Sequence, residues 1–160
     1  MDIISELNGK RILIWGYGRE GKATEHFLQR CVKPASVDIF EGKKEEIDED
    51  DYDFIIKSPG IVMNEENPKY TSETELFLQQ FRDQVIGITG TKGKSTTSAM
   101  LYTVLKACSS RPVLLLGNIG QPCLDYFEEV TEDTIIVYEM SCHQLACPPD
   151  ARRKTSHPGG

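Results

Sequence analysis

The stretch RILIWGYGREG, residues 11–21, decides the fold of the first half of the chain. It opens with a continuous apolar run, which is typical of a parallel strand buried on both faces. Gly16, Gly18 and Gly21 then form a G-x-G-x-x-G pattern, and apolar residues recur at helical spacing beyond it. Such glycines permit a tight turn and let a phosphate approach the amides at the helix N-terminus. The stretch therefore predicts a strand, a turn and a helix that together bind a nucleotide-type ligand.

The acid that often accompanies this pattern is also present. Glu41 stands at the end of the next predicted strand, where its carboxylate can accept a hydrogen bond from a ribose or sugar hydroxyl. The pattern does not say which nucleotide binds. The alternative is a glycine turn that only packs the helix against the strand.

Apolar runs of strand length alternate with helical segments along the rest of the chain. Further strands are predicted at 36–41, 53–58, 84–89, 112–117 and 134–140. This alternation predicts an α/β fold with a largely parallel sheet. The alternation of strand, glycine-rich turn and helix starts again in the second half of the chain, which indicates two units joined near residue 84.

That second turn lies in GITGTKGKSTTS, residues 87–98, after a predicted strand. It departs from the G-x-x-x-x-G-K-[ST] phosphate loop because Ile88 occupies the place of the first glycine. The end of the loop that carries the phosphate contacts is intact. Lys94 would set a positive charge on the β- and γ-phosphates and the Ser95 hydroxyl would bind Mg²⁺. The predicted ATP-binding residues are Gly90, Thr91, Lys92, Gly93, Lys94, Ser95 and Thr96.

Glu139 ends the predicted strand TIIVYE. An acid at the carboxyl end of a parallel strand near a phosphate loop typically serves the magnesium ion, so Ser95 and Glu139 are the predicted metal ligands. The alternative is a buried carboxylate paired with a helix dipole.

The composition narrows the class of protein. A net charge of −7 and a pI near 5.0 argue against a general nucleic-acid or membrane-surface binder. The sequence holds no apolar run long enough for a membrane span and no signal peptide is expected. Five scattered cysteines indicate reduced thiols in the cytosol. The acid-rich residues 41–53 follow no ligand spacing, which favours a solvated helix or loop over a metal site.

The last stretch, residues 147–160, has adjacent prolines, a basic triplet and no apolar period, so it is predicted to be a disordered tail. The second unit then has only three strands. We expect it to leave apolar surface uncovered, with aggregation or partial disorder after about residue 85.

The second turn also resembles a known family. TGTKGKS matches the shortened loop T-G-T-x-G-K-[ST] of the Mur ligases, the ATP-dependent amino-acid ligases of peptidoglycan synthesis. Further segments resemble the branch that joins D-glutamate to UDP-N-acetylmuramoyl-L-alanine. These are GYGREG, SPGI, ETELF, GNIGQP and YEMSCHQL, and the resemblance covers residues 1 to about 145.

The resemblance implies a Rossmann-like domain at 1–84 that holds the UDP-sugar and a partial central ATP-binding domain at 85–146. It implies a monomeric, cytoplasmic protein of bacteria that uses ATP and Mg²⁺, with Lys94 and Glu139 as catalytic residues. The implied UDP-sugar contacts are Tyr17, Arg19, Glu41, Ser58, Pro59, Gly60 and Asn118.

The resemblance stops at Ala146, before the metal-binding histidine, the carbamylated lysine and the C-terminal domain of the family. A truncated or frame-shifted product without ligase activity is therefore expected. Two alternatives stay open, namely a non-catalytic UDP-sugar- or nucleotide-binding fragment and an NAD-binding oxidoreductase module suggested by GYGREG alone.

Overall fold

A computed structural model describes residues 2–63, 67–117 and 121–141. Asn118 and the stretch 147–160 lie outside the described residues, so the predictions made for them stay predictions.

The first half of the chain forms a four-stranded parallel sheet with strand order β2-β1-β3-β4. Its strands are β1 (Arg11–Trp15), β2 (Ser36–Phe40), β3 (Phe54–Lys57) and β4 (Tyr70–Thr71), and its helices are α1 (Ile3–Leu7), α2 (Arg19–Cys31) and α3 (Glu73–Phe81). The Ser72 hydroxyl caps α3 by accepting a hydrogen bond from the Glu75 amide at the start of the helix.

The short helix α1 was not predicted. It has five residues, too few for a helical period to stand out. The Asp2 carboxylate caps it by accepting from the Ile4 amide, and Ile3 and Leu7 are fully buried. Tertiary packing therefore stabilises a helix that local propensity alone does not specify.

The second half forms a three-stranded parallel sheet with strand order β5-β7-β6. Its elements are β5 (Val85–Ile88), α4 (Lys94–Cys108), β6 (Val113–Gly117), a 3-10 helix (Cys123–Glu129) and β7 (Ile135–Glu139). The two parallel sheets confirm the predicted α/β class and are consistent with a Rossmann-like first unit.

One hydrophobic core spans both halves. The 3-10 helix Cys123–Glu129 lies against α2 and α3, and the Phe127 ring packs 4.7 Å from the Phe27 ring and 5.1 Å from the Phe81 ring. The same buried cluster includes Ile12 of β1 and Ile136 of β7. Because the halves share this core, the domain division at residue 84 stays a prediction, although the chain passes between sheets there.

The acid-rich stretch 41–53 contains two 3-10 turns, Lys44–Glu46 and Glu49–Asp51. Ile47 and Tyr52 pack against the small core cluster formed by Leu13, Trp15 and Ile55. The stretch thus covers one face of the first sheet. Among the described residues, no group of three or more His, Cys, Asp or Glu side chains could hold a metal ion.

Helix α4 carries large apolar side chains that are open to solvent. Met100 is 65% exposed and Val104 56% exposed, and Ile86 on the neighbouring sheet is 40% exposed. The uncovered apolar surface expected for the second half is therefore present, while aggregation and disorder stay predictions. No helix within the described ranges is long and apolar enough to cross a membrane.

Candidate functional site

The turn between β5 and α4 has the backbone of a phosphate-binding loop. Gly90 has a φ of 147° and Gly93 a φ of 76°, and both values lie where a side chain would strain the backbone. Helix α4 begins at Lys94, and the Thr97 amide donates to the Gly93 carbonyl at 2.9 Å. The amides of the first helical turn have no carbonyl partners within the helix, so they can bind an anion at this end.

The structure brings together Ser95 and Glu139, the two residues predicted to bind Mg²⁺. Glu139 is the last residue of β7 and only 1% exposed, and its Oε1 accepts a hydrogen bond from the Ser95 hydroxyl at 2.8 Å. A hydroxyl and a carboxylate side by side form a hard-oxygen donor set that suits Mg²⁺. The Glu139 carboxylate also lies by the N-terminus of α4. This position equally fits the alternative given above, in which a buried carboxylate pairs with the helix dipole.

The sequence analysis missed Ser98, which supports this pair. Its hydroxyl is fully buried, 2.8 Å from the Lys94 carbonyl and 3.3 Å from Glu139 Oε2. Ser98 follows Ser95 by one helical turn, and this spacing is the signal that places both hydroxyls on the side of α4 that faces β7.

Gly117 was also missed as a site residue, although it opens the quoted GNIGQP segment. It is paired with Glu139 across the sheet, and its φ is 109°. A Cβ atom added to Gly117 would lie 2.2 Å from the Glu139 carbonyl oxygen. Since Ile88 pairs with Glu139 on the other side, all three strands of this sheet end at the same level beside the turn.

The first glycine turn packs tightly at the carboxyl end of β1. A Cβ on Gly21 would lie 2.2 Å from the Gly16 carbonyl oxygen, and one on Gly16 would lie 2.3 Å from the Ser58 hydroxyl oxygen. Gly16 and Gly21 are therefore required for the close contact between α2 and the strands, whereas an added Cβ on Gly18 would meet no atom within 4 Å. This is the packing role that the sequence left open, and it does not exclude a ligand at the same turn.

The residues that were predicted to contact the UDP-sugar follow three neighbouring strands of the first sheet. Tyr17 and Arg19 follow β1, Glu41 follows β2, and Ser58, Pro59 and Gly60 follow β3. Because carboxyl ends of parallel strands meet at one edge, these residues share that edge of the sheet. Arg19, Glu41, Pro59 and Gly60 are exposed.

Two of these residues are held by neighbours. The Tyr17 hydroxyl donates to Glu25 of α2, and this hydrogen bond raises the pKa of Tyr17. The Lys22 ammonium lies 5.7 Å from the centre of the Tyr17 ring. The Ser58 amide donates to the Trp15 carbonyl at 2.9 Å, which fixes the start of the Ser-Pro-Gly turn against β1.

The two halves also meet through polar contacts near these edges. The Glu73 carboxylate, at the start of α3, accepts a hydrogen bond from the Leu124 amide at 2.8 Å. The Thr74 and Tyr138 hydroxyls lie 3.2 Å apart. The sequence singled out the ETELF segment without assigning Glu73 a role, because its partner lies 51 positions away.

Fold and site together define an α/β protein whose second parallel sheet carries a phosphate-loop-type turn beside a serine and a buried glutamate. No family model matches the chain. Curated relatives do. A UDP-N-acetylmuramoylalanine–D-glutamate ligase of Clostridium kluyveri is 36% identical over 126 residues, which are 74% of this chain and 27% of the relative.

Two further relatives cover more of the chain. A UDP-N-acetylmuramoyl-L-alanine–L-glutamate ligase of Xanthomonas euvesicatoria pv. vesicatoria is 32% identical over 174 aligned positions, 88% of this chain and 37% of the relative. A UDP-N-acetylmuramoylalanine–D-glutamate ligase of Leuconostoc mesenteroides is 27% identical over 175 aligned positions, 91% of this chain and 39% of the relative. The chain is therefore a MurD-like relative within the Mur ligases. It spans well under half the length of each of these relatives.

Proposed function

We propose that this chain carries the ATP site and the UDP-sugar site of a Mur-type, ADP-forming ligation. The observation that supports this most directly is the Ser95–Glu139 hydrogen bond of 2.8 Å at the mouth of a turn with two positive-φ glycines. A glycine turn that served packing alone would not need a buried carboxylate beside its serine.

The ATP phosphates would lie on the amides of residues 90–96, with the Lys94 ammonium neutralising the charge of the β- and γ-phosphates. Ser95 and Glu139 would hold Mg²⁺, which shields the phosphate charges when bound. Ser98 would fix the second carboxylate oxygen of Glu139, so that Oε1 stays directed at Ser95.

The UDP-N-acetylmuramoyl-L-alanine substrate is proposed for the carboxyl edge of the first sheet. Tyr17, Arg19 and Glu41 would border the uridine. Ser58, Pro59, Gly60 and Asn118 would contact the diphosphate and the sugar. This assignment rests on the family and on the common edge that the described residues share.

The proposed reaction proceeds in two steps in the complete ligase. The terminal phosphoryl group of ATP is transferred to the alanyl carboxylate, and the amine of D-glutamate then displaces phosphate from the acyl phosphate to form the amide. Lys94 would stabilise the charge on the transferred group in the first step. One relative is named as an L-glutamate ligase, so L-glutamate is the second candidate for the amine.

Binding is the function to test on this chain. Titration of ATP with Mg²⁺ by calorimetry should show binding that weakens by at least about tenfold in Lys94→Ala, since a charge-assisted phosphate contact contributes about 1.5–3 kcal/mol. Lys106→Ala is the matched control, because Lys106 lies at the other end of α4 and donates to the Tyr102 hydroxyl. Equal affinities in the two variants would contradict the ATP site.

The UDP-sugar site is tested separately. Titration of UDP-N-acetylmuramoyl-L-alanine should give heat that is retained in Lys94→Ala and reduced in Arg19→Ala. The absence of heat with millimolar ligand would contradict the assignment of the first sheet edge without affecting the ATP site.

A further inference from the structure

A buried polar cluster lies where the two halves of the chain meet. Its members are Glu73 and Thr74 at the start of α3, Cys123 at the start of the 3-10 helix, and Tyr138 on β7. Glu73 is 4% exposed, and Cys123 and Tyr138 are each 2% exposed. The cluster thus joins three elements that are far apart in the sequence.

Glu73 makes the direct link between the halves. Its Oε1 accepts from the Leu124 amide at 2.8 Å, and its main-chain carbonyl lies 3.9 Å from the Cys123 sulfur. Leu124 is itself buried, so the hydrogen bond is shielded from water. The side chain therefore fixes the start of the 3-10 helix on the first turn of α3.

Among the residues that the structure describes, the charged groups that act on this carboxyl are acids. Glu20 on α2 and Asp125 on the 3-10 helix both disfavour its ionised form. Cys123 and Tyr138 are the other titratable groups around it, and burial raises the pKa of each. An ionised Glu73 would thus be a buried anion close to two further carboxylates, with hydrogen bonds from the Leu124 amide and the Cys123 thiol.

We propose that Glu73 is a positioning residue whose protonation state controls how firmly the 3-10 helix Cys123–Glu129 is held against α3. With its proton, the carboxyl fits the buried site and the Leu124 contact stays closed. Without the proton, the site carries an uncompensated buried charge, and opening to water becomes easier. Burial raises the pKa of Glu73 to about 7, so the change falls in the physiological range.

This device goes beyond the proposed function, because it requires no nucleotide. It also bears on the site, since the segment that begins at Gln121 follows closely after Gly117, the neighbour of Glu139. The release of a proton from Glu73 would therefore loosen the chain next to the carboxyl end of β7.

Amide hydrogen exchange of Leu124, measured by NMR on the whole chain from pH 5.5 to 8, tests the proposal. After correction for intrinsic exchange, the opening constant should rise about 30-fold over this range if the carboxyl titrates near 4.5 when open and near 7 when closed. In Glu73→Gln, which keeps an acceptor oxygen without the charge, the rise should be under about threefold.

Glu75→Gln is the matched control, because Glu75 lies on the same turn and is half-buried. It should retain the dependence of the unaltered chain. A flat profile in the unaltered chain, or an equal rise in Glu73→Gln, would overturn the proposal.

A second measurement uses the unaltered chain and therefore does not depend on whether a variant folds. The side-chain carboxyl carbon of Glu73, followed by 13C NMR in the unaltered chain, should titrate near pH 7, and a midpoint near 4.5 would overturn the proposal. Neither measurement contains ATP or a UDP-sugar, so its failure is distinct from failure of the proposed function.

Discussion

Each of the two glycine turns of this chain leads into a helix, and the two helices differ in how many of their residues are buried. Helix α2 buries five residues, including Gly21, Phe27 and Leu28, whereas α4 buries only Ser98. The first sheet is therefore covered by α2 and by the acid-rich stretch 41–53. The 3-10 helix Cys123–Glu129 packs on α2 and α3, and its buried side chains belong to the same core cluster as Leu116 and Ile136 of the second sheet. We therefore expect the stability of the second half to depend on its contacts with the first half.

The largest test of this dependence is Phe127→Ala. The ring joins the halves through Phe27 and Phe81, so its loss should lower the free energy of unfolding by about 3–5 kcal/mol. Urea unfolding followed by circular dichroism measures the change. The control Val104→Ala removes an apolar side chain of the second half that is 56% exposed, and it should cost under about 0.5 kcal/mol. Equal losses in both variants would refute the dependence.

The next effect is the pH dependence contributed by Glu73. The native carboxyl has a pKa of about 7 against an ordinary value of 4.5, so the native state binds more protons than the unfolded state between these values. The stability contributed by Glu73 is thus fully present below pH 4.5 and decreases as the pH rises towards 7, by up to about 3 kcal/mol.

Urea unfolding of the unaltered chain and of Glu73→Gln at pH 5, 6, 7 and 8 checks this prediction. The difference between the two should change with pH in the stated direction and level off above about pH 7. A constant difference would mean that Glu73 has an ordinary pKa in the folded chain.

Gly117→Ala should have a smaller effect that is confined to the second half. The new Cβ would strain a backbone with φ of 109° and contact the main chain of Glu139, so we expect a loss of about 2–3 kcal/mol. Gly9→Ala is the control, since its φ is 71° and no atom lies within 4 Å of an added Cβ, and about 1 kcal/mol is expected. Thermal unfolding of both variants would show whether crowding at Glu139 adds to the backbone strain.

Substitutions of the exposed apolar side chains of α4 should have the smallest effect on stability. Met100→Gln with Val104→Gln should change the free energy of unfolding by under about 0.5 kcal/mol but reduce self-association, because both side chains are mostly exposed. Sedimentation velocity at several concentrations measures the association. The exposed Thr103, replaced by Gln, should leave association unchanged, and an unaltered sedimentation profile in the double variant would show that these apolar side chains do not drive it.

Much of the site was predictable because its residues are adjacent along the chain or stand at strand ends. The glycines, Lys94 and Ser95 form one local turn, and Glu139 was identified by its place at the end of an apolar strand. Ser98 and Gly117 were not identified, since their importance comes from their distance to Glu139 and not from a motif. The roles of all these residues in binding stay predictions.

The sequence by itself determined six of the seven strands that the described residues form, both glycine turns and the edge of each sheet at which polar side chains gather. These features follow from short-range periodicity and from glycine's backbone freedom. Only the tertiary structure decided that Cys123–Glu129 packs on α2 and α3, that α4 stays exposed and that Glu73 is buried against Leu124. The physical reason is that burial, and the pKa that follows from it, depends on contacts between residues far apart in the chain, and local patterns do not specify those contacts.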